Sequence, residues 1–328
     1  SFSGAAKQTI SIARELVKSN YLVEIINLES GQISITESKI GDNIVIKNIP
    51  RFHWFKYVFC IFNIKRRNIP FVHTQGFFLD FLIFCYFFNL SYIIKSTLYG
   101  SDDFSSLNKS RFGFLKLFIA KNCQANNSLT YQIRESNLNH LCESKIYTIP
   151  NLVQQSEYIK EGDFKYKKKQ VVFVGGVIER KRPDLAIKFF KNNFDDEYEL
   201  LIVGPTSELK EFNEEYYKYC QALTDGADIH FVGNQPQDIV RKTLSESSCL
   251  LFFSENEGMP NVVLEALSEN CVPIISCMNG LSKELIPNEF DYLIIDNPQV
   301  DIVSNLSQKI KRLTTSKFFY KLANEKDQ

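Results

Sequence analysis

The sequence predicts an α/β protein made of two consecutive domains, each built around a mostly parallel sheet. Short β-branched runs alternate along the chain with longer amphipathic stretches, which is the pattern of strand–helix–strand units. The 328 residues suffice for two domains that each bury a core of their own. A polar stretch with three consecutive lysines at 167–169 interrupts the alternation and indicates a linker.

The overall composition is that of a globular protein of a reducing compartment. Hydrophobic residues make up 44% of the chain and charged residues 23%, which argues against disorder. The eight cysteines are scattered without the clustered spacing of metal sites or disulfide frameworks. The most apolar run, 77–94, is broken by polar residues and is shorter than the roughly 20 apolar residues of a membrane span. We therefore predict a cytoplasmic protein without a signal peptide or metal site, and a core helix plus strand over 77–94.

Charge is distributed unevenly between the two halves of the chain. Residues 1–150 contain 17 basic and 10 acidic residues, a net charge of +7, and the remaining residues carry −7. This asymmetry favours an anionic partner for the front half, with a chance asymmetry as the alternative. No nucleic-acid-binding motif accompanies the basic residues, so we expect no nucleic acid partner.

The front domain is predicted to cover residues 1–151. A helix is expected over 7–19, and strands over 22–28, 71–74, 92–97 and 146–149. No strand precedes the first helix, although Ser3-Gly4-Ala5 looks like the end of a glycine turn that follows a strand. We therefore expect the first strand of this domain to be missing, or to lie upstream of Ser1.

The back domain is predicted to cover residues 170–328, after a linker at 152–169. Its expected strands are 171–174, 199–203, 229–232, 249–253, 272–276 and 292–295, with helices between them and a last helix over 300–314. Open α/β sheets bind ligands at the carboxyl ends of their strands. Two such domains in sequence therefore predict a ligand-binding cleft between those edges.

The most informative segment, 254–267, follows a predicted strand and contains a glycine loop and a helix. Pro260 suits the first turn of that helix. The start of a helix directs backbone N–H groups and a positive dipole end toward its ligand, which suits a phosphate. Glu257 and Glu265 would repel a phosphate, so we expect them to bind sugar and ribose hydroxyls. The alternative is that both are ordinary solvated acids.

A second segment, 174–184, runs from a strand through Gly175 and Gly176 into the cations Arg180, Lys181 and Arg182. Three cations at the start of a helix suit a diphosphate, with a solvated loop as the alternative. The glycine fingerprints of P-loop and dinucleotide-binding proteins are absent from the sequence.

These segments together resemble the retaining glycosyltransferases of family 4, which have the GT-B fold of two Rossmann-like domains facing across a cleft. The resemblance covers nearly the whole chain. Its motifs are the E-x7-E pair Glu257 and Glu265, the strand-glycine-lysine segment from Phe173 to Lys181, the domain-closing Ile149-Pro150-Asn151, and the front glycine at Gly4.

The resemblance implies transfer of a hexosyl or N-acetylhexosaminyl group from a UDP- or GDP-linked sugar, with retention and without a cofactor. The acceptor would be a glycan or a lipid-linked glycan of capsule or lipopolysaccharide biosynthesis. Lys181 would neutralise the diphosphate, Glu265 would hold the ribose and Glu257 would contact the transferred sugar. The other implied donor-binding residues are Gly4, Gly175, Arg180, Gly258, Met259, Pro260 and Asn261.

The sequence departs from the family at two positions. Many members have arginine where this chain has Gly176, and many have histidine where this chain reads 96–103, which ends in Asp102 and Asp103. We predict that one of these acids orients the acceptor hydroxyl. His73, near the end of the preceding strand, is another catalytic candidate or a structural hydrogen-bonding residue. The departures leave open an inactive sugar-nucleotide-binding scaffold, or another GT-B enzyme such as a sugar-nucleotide epimerase.

Cations and aromatic residues are mixed in three parts of the front domain. Segments 51–56 and 65–67 are two of them, and a helix predicted over 109–121 carries apolar residues on one face with cations around it. Such a surface suits an anionic membrane, whereas packing against the domain's own sheet is the alternative. We therefore expect peripheral binding at the inner face of the plasma membrane.

Overall fold

The computed structural model describes most of the chain. The described residues are 4–29, 36–41, 43–50, 58, 62, 64, 71–154, 156–159, 167–209, 211–278 and 280–314. The chain divides into two compact units, Ser1–Leu152 and Val153–Gln328. The basic segments 51–56 and 65–67, which belong to the predicted membrane-binding surface, lie outside the described residues.

The front unit alternates helices and strands. Its helices are α1 (Gly4–Lys18), α2 (Leu79–Phe87), α3 (Phe104–Lys109), α4 (Gly113–Lys121) and α5 (Tyr131–Leu138). Its strands are β1 (Val23–Glu29), β2 (Thr36–Ile40), β3 (Ile44–Pro50), β4 (Val72–Gln75), β5 (Tyr92–Ser96), β6 (Ala125–Ser128) and β7 (Ile146–Tyr147). The prediction of a core helix followed by a strand over 77–94 is confirmed by α2 and β5.

The described strands of the front unit form two sheets. One has the order β1-β3-β2, in which β1 and β3 are parallel and β2 is antiparallel to β3. The other has the order β4-β5-β6-β7 and is parallel throughout. Its core joins Leu82 of α2, Ile94 of β5 and Ile119 of α4. Strands β2, β3 and β6 were not among those expected from the sequence.

The single helix predicted over 109–121 is wrong, because two helices meet there at a tight turn. Helix α3 ends at Lys109, and Phe112 adopts a left-handed backbone with φ 61° before α4 begins. A Cβ atom on Gly113 would lie 1.9 Å from the carbonyl oxygen of Asn108. This close approach requires glycine at position 113 and fixes the turn.

The back unit is a second α/β series. Its strands are β8 (Lys168–Val174), β9 (Glu199–Val203), β10 (Ile229–Gly233), β11 (Ser247–Phe252), β12 (Val272–Ser276) and β13 (Ile294–Ile295). Its helices are α6 (Pro183–Asn193), α7 (Glu214–Ala222), α8 (Gln237–Glu246), α9 (Asn261–Ser268), α10 (Leu281–Leu285) and α11 (Leu306–Thr314). The last helix therefore begins at Leu306, later than the predicted residue 300.

The back sheet has the doubly wound order β10-β9-β8-β11-β12-β13, and all its strand pairs are parallel. Strand β11 is buried along its whole length and β8 over residues 170–173, and Val171 of β8 and Leu250 of β11 belong to the same core as Phe189 of α6. The chain leaves β8 toward β9 on one side and later returns to β11 on the other. The carboxyl ends of β8 and β11 therefore form a topological switch point, where such sheets bind ligands.

Membrane spans and cysteines, both considered above from composition, can be described for these residues. None of the described helices is long and apolar enough to cross a membrane. The seven described cysteines are all free thiols, of which five are buried and two, Cys142 and Cys277, are exposed.

Candidate functional site

Two loops meet at the switch point of the back sheet. The loop after β8 contains Gly175 and a short 3-10 turn, Glu179–Lys181, and the loop after β11 contains Ser254 and Glu255. The carbonyl oxygen of Arg180 accepts hydrogen bonds from the backbone N–H of Glu255 at 3.1 Å and from the hydroxyl of Ser254 at 3.2 Å. These bonds hold the cation-bearing loop against the glutamate-bearing loop.

The ammonium group of Lys181 pairs with the Glu257 carboxylate where these loops meet. The single hydroxyl hydrogen of Ser254 is shared between the Arg180 carbonyl and this carboxylate oxygen, which lies 2.8 Å from the Ser254 oxygen. The Arg180 guanidinium lies 3.5 Å from the same carboxylate oxygen. The side chains of Lys181 and Glu257 are 22% and 16% exposed. Both are therefore held in place yet remain open to a ligand.

Glycines allow the backbone to pass closely beside this pair. Gly204, which follows β9, has φ 155°, and a Cβ there would lie 2.0 Å from the Gly175 carbonyl oxygen. A Cβ on Gly176 would lie 2.4 Å from a methyl group of Leu209. The second contact is with the end of a flexible side chain, so a larger residue at position 176 would require only that Leu209 shift.

Arg182 turns away from the other two cations. It has a left-handed backbone, with φ 53°, and its guanidinium binds Asp184 at 3.0 Å and Glu255 at 2.8 Å. Burial opposes ionisation of Asp184, but hydrogen bonds from Arg182 and Tyr216 hold its pKa below the usual value. Arg182 therefore fixes the start of α6, and Arg180 and Lys181 are the cations that approach Glu257.

Helix α9 follows the glycine loop directly. It begins at Asn261, one residue later than the prediction that placed Pro260 in its first turn, and Pro260 precedes it as the N-terminal cap residue. Gly258 and Met259 form the bend that leads into this cap. Glu265 lies on α9, where Gln237 of α8 donates a hydrogen bond of 3.0 Å to its carboxylate. The structure thus places both glutamates of the E-x7-E pair on one loop–helix unit.

The front-unit candidates lie on different elements. Gly4 is the first residue of α1. His73 lies inside β4, and its Nε2 atom is buried without a hydrogen-bond partner among the residues that the structure describes. Burial and the nearby Lys95 lower the pKa of His73 to about 4. The imidazole is therefore neutral at neutral pH, and its catalytic role stays a prediction.

The two adjacent acids after β5 form hydrogen bonds within the front unit. Asp102 accepts bonds from the backbone N–H groups of Thr97 and Leu98 at 2.7–2.9 Å. Burial raises its pKa, although these bonds oppose the rise. Asp103 caps α3 through the Ser106 N–H at 3.0 Å, and it accepts the Ser136 hydroxyl at 2.6 Å.

The two acids differ in their access to a pocket of about 450 Å³. Asp102 lines this pocket together with Phe77, Phe78, Ser101 and Lys116, and Asp103 does not. Asp103 is buried, and burial raises its pKa less than its hydrogen bonds lower it. The geometry therefore favours Asp102 over Asp103 as the acid that a ligand can reach.

Replacing the two acids one at a time by asparagine tests this distinction. We expect Asp102→Asn to lower turnover by about tenfold or more, because a positioned acid that contacts a reacting group contributes at least that much. Asp103→Asn should lower the melting temperature and leave the turnover of the folded protein unchanged, because the Gly100 N–H loses its carboxylate acceptor while the asparagine oxygen still caps α3. Full turnover in both variants would exclude either acid from orienting the acceptor.

One other cluster of potential ligands lies in the described part of the back unit. Single ligand atoms of Glu199, Asp228 and His230 lie within 4.8 Å of one another. They lie at the amino ends of β9 and β10, away from the switch point, and His230 bonds Asp228 at 2.7 Å. This hydrogen bond accounts for their proximity, and the expectation of a metal-independent site stays a prediction.

Sequence reasoning missed two residues that contact the glutamates of the E-x7-E pair, Ser254 and Gln237. Ser254 is buried and connects the Arg180 carbonyl with Glu257, and Gln237 reaches Glu265 from another helix. The position of Ser254 directly after a buried strand and three residues before Glu257 was a usable signal. The sequence carries no such signal for Gln237, because its contact depends on the packing of α8 beside α9.

The back unit also matches a known family. The model of the glycosyl transferases of group 1 matches residues 154–325, more than half of the chain. Among curated proteins, the capsular polysaccharide biosynthesis glycosyltransferase CapH of Staphylococcus aureus is 24% identical over 261 residues, covering 75% of this chain and 70% of CapH.

Two solved structures illustrate the shared fold over the whole chain. A sucrose-phosphate synthase from Thermosynechococcus elongatus has a TM-score of 0.72 at 15% identity, covering 99% of this chain and 88% of its own. WaaG, a glycosyltransferase involved in lipopolysaccharide biosynthesis, has a TM-score of 0.61 at 12% identity, and the match covers 99% of this chain and 91% of WaaG. These similarities confirm the predicted GT-B fold. Together with the family match, they establish that the chain belongs to the glycosyl transferases of group 1.

Proposed function

We propose that this protein is a retaining, family 4 glycosyltransferase that uses a UDP- or GDP-linked sugar. The Lys181–Glu257 pair at the start of α9 is the observation that carries the proposal. It combines a cation for the donor diphosphate with a carboxylate for the sugar, beside backbone N–H groups that suit a phosphate. Glu265 lies on α9, eight residues after Glu257, and provides a carboxylate that can accept hydrogen bonds from the two ribose hydroxyls.

In the proposed reaction, the bond between the sugar and the diphosphate breaks while the acceptor oxygen approaches the same face of the sugar. Lys181 exchanges its contact with Glu257 for the diphosphate and stabilises the charge that develops on this leaving group. The departing phosphate oxygen takes the proton of the acceptor hydroxyl. Glu257 is then free to accept hydrogen bonds from the sugar, and catalysis rests on positioning and on leaving-group stabilisation.

The acceptor that we propose is a glycan or lipid-linked glycan of cell-surface polysaccharide biosynthesis. The names of CapH and WaaG support this choice, since one belongs to capsule and the other to lipopolysaccharide biosynthesis. Transfer of a hexosyl or N-acetylhexosaminyl group would then occur in the cytoplasm, at the inner face of the plasma membrane.

A catalytically inactive sugar-nucleotide-binding scaffold is the second candidate. It is favoured by the two departures from the family pattern, namely Gly176, where many members have arginine, and the segment 96–103, where many have histidine. Slow hydrolysis of the donor without an acceptor would favour the enzyme. Nucleotide binding without turnover on any acceptor would favour the scaffold.

Thermal stabilisation by UDP, GDP and ADP, measured beside a Glu265→Ala variant, tests the donor site. At a concentration about 100 times its Kd, the bound nucleotide should stabilise the protein by about 2.7 kcal/mol. For a unit of this size the melting temperature should rise by about 5–11 °C. We expect a shift with one nucleotide, and its loss in Glu265→Ala, because the ribose hydroxyls lose their acceptor.

Gln237→Ala is the matched control for Glu265→Ala. It removes the same internal hydrogen bond to Glu265 but keeps the carboxylate, so the nucleotide shift should persist. The absence of a shift with all three nucleotides would refute the donor-site assignment while leaving the fold unaffected.

A further inference from the structure

An exposed apolar surface covers the ends of α2 and α4 in the front unit. We call it the aromatic face, and it consists of Phe87, Phe112, Phe114, Leu115 and Phe118. The exposed fractions are 86% for Phe114, 76% for Phe87, 63% for Phe112, 41% for Phe118 and 40% for Leu115. Contiguous apolar surface of this kind is uncommon on soluble monomers and marks an interaction site.

Ring contacts connect the two helices within this face. Tyr86 packs edge-on against Phe118 with 5.2 Å between ring centroids, and its centroid lies 5.9 Å from that of Phe87. The exposed rings therefore belong to one surface and not to scattered single positions. The opposite side of α4 carries Ile119 and Ala120 into the core, so the helix already has its internal partner.

Phe112 is held in an unfavourable backbone conformation within the aromatic face. Its φ of 61° is rarely adopted by bulky L-residues, and its side chain gains little burial inside the unit. Strain of this kind that internal packing does not compensate is found at functional surfaces.

The charges on the α3–α4 side of the aromatic face are of one sign. Residues 104–121 contain Lys109, Arg111, Lys116 and Lys121 and no acidic residue. The Arg111 guanidinium lies 5.0 Å from the centroid of the Phe112 ring. Cations with apolar stems beside aromatic rings match an anionic lipid surface, where the rings enter the boundary region and the cations meet phosphates.

We propose that the aromatic face docks the protein on an anionic lipid bilayer. Phe87, Phe112 and Phe114 insert at the boundary between headgroups and acyl chains, and the surrounding cations bind lipid phosphates. A second copy of the chain is a poorer occupant, because pairing two such faces brings cations against cations. The proposal extends the proposed function, since a lipid-linked acceptor presents its glycan at this boundary, but it does not depend on the donor site.

Co-sedimentation with vesicles tests the proposal on the full chain. The vesicles contain phosphatidylcholine alone or phosphatidylcholine with phosphatidylglycerol. We expect binding to the anionic vesicles only, and weaker binding at higher salt. The double variant Phe87→Ser/Phe114→Ser should bind at least about tenfold more weakly, because two large apolar side chains no longer enter the bilayer. Arg111→Gln/Lys121→Gln should bind about 25-fold more weakly, at about fivefold for each charge.

Ile302→Ser is the matched control, because Ile302 is as exposed as Phe87, at 76%, but lies in the back unit. It should bind vesicles as the unchanged protein does. Equal binding to neutral vesicles, or full binding by Phe87→Ser/Phe114→Ser, would overturn the proposal. The proposal would also be overturned if no form of the protein bound vesicles and the unchanged protein formed a dimer that dissociated in Phe87→Ser/Phe114→Ser. The nucleotide-induced melting shift, measured on the same variants, separates failure of docking from failure of the donor site.

Discussion

Replacing Lys181 by methionine is expected to lower turnover by about 10²–10³-fold, the effect of removing one group that stabilises a developing anion. Methionine preserves most of the length of the side chain and removes its charge. Lys181 lies at the switch point between β8 and β11 and contacts Glu257 there. If the diphosphate leaves from this position, its negative charge loses the nearest cation in the variant. The measurement is turnover with the donor whose nucleotide raises the melting temperature.

Lys188→Met provides the matched control for this experiment. Lys188 lies on α6 in the same unit, where its ammonium group is 5.6 Å from the ring centroid of Tyr219. The same chemical change at this position should leave turnover at the wild-type level. Wild-type turnover in Lys181→Met would contradict the proposed role and leave Arg180, 3.5 Å from Glu257, as the remaining nearby cation.

Strands of the back unit could be predicted from sequence because they are short apolar runs with clear ends. The predicted ranges 199–203 and 272–276 coincide with β9 and β12, and both strands are largely buried. Such strands are covered on both faces, so they need no polar alternation and their ends are marked by glycine and polar residues. Local composition is then a sufficient guide.

Strand β6 shows where local composition fails. Its sequence, Ala-Asn-Asn-Ser, is typical of a turn, yet it pairs with β5 and β7 in the front unit. Asn126 is fully buried and donates hydrogen bonds to the Ile94 carbonyl at 3.1 Å and to the Ser96 hydroxyl at 3.0 Å. Partners from distant parts of the chain satisfy this polar strand, and no pattern within a short window reveals them.

The candidate site was partly predictable for a similar reason. Glu257, Glu265 and Lys181 belong to motifs with fixed spacing, so the sequence identifies them before any fold is known. The Arg182 side chain points away from those of Arg180 and Lys181, because its backbone is left-handed and Asp184 binds its guanidinium. Three consecutive cations therefore look equivalent in sequence, although Arg180 and Lys181 approach Glu257 and Arg182 binds Asp184 and Glu255.

The largest effect on stability is expected for the buried ion pair between Arg241 and Glu269. The guanidinium binds one carboxylate oxygen of Glu269 at 2.5 and 2.7 Å, and Glu269 is 0% exposed. Arg241 also donates to the Gln154 carbonyl at 3.0 Å, and Ser156 donates to Glu269. The pair thus joins helix α8 and the end of α9 to the segment that enters the back unit.

Glu269→Leu is expected to cost about 3–5 kcal/mol of unfolding free energy, because it removes the Glu269 carboxylate that binds the buried Arg241 charge. For a unit of this size, the melting temperature should fall by about 6–20 °C. Glu246→Ala is the matched control, since this glutamate pairs with Lys168 at the surface, and an exposed pair contributes at most about 1 kcal/mol. Melting of the full chain, followed by circular dichroism, measures both variants.

A double variant, Arg241→Met/Glu269→Leu, separates the cost of an unpaired charge from the value of the pair. Attraction between two buried charges offsets the cost of removing them from water, so replacing both by apolar residues is often neutral or stabilising. We therefore expect the double variant to melt above the Glu269→Leu variant. If it melts lower, the bonds from Arg241 to Gln154 and from Ser156 to Glu269 stabilise the back unit more than the unpaired charge destabilises it.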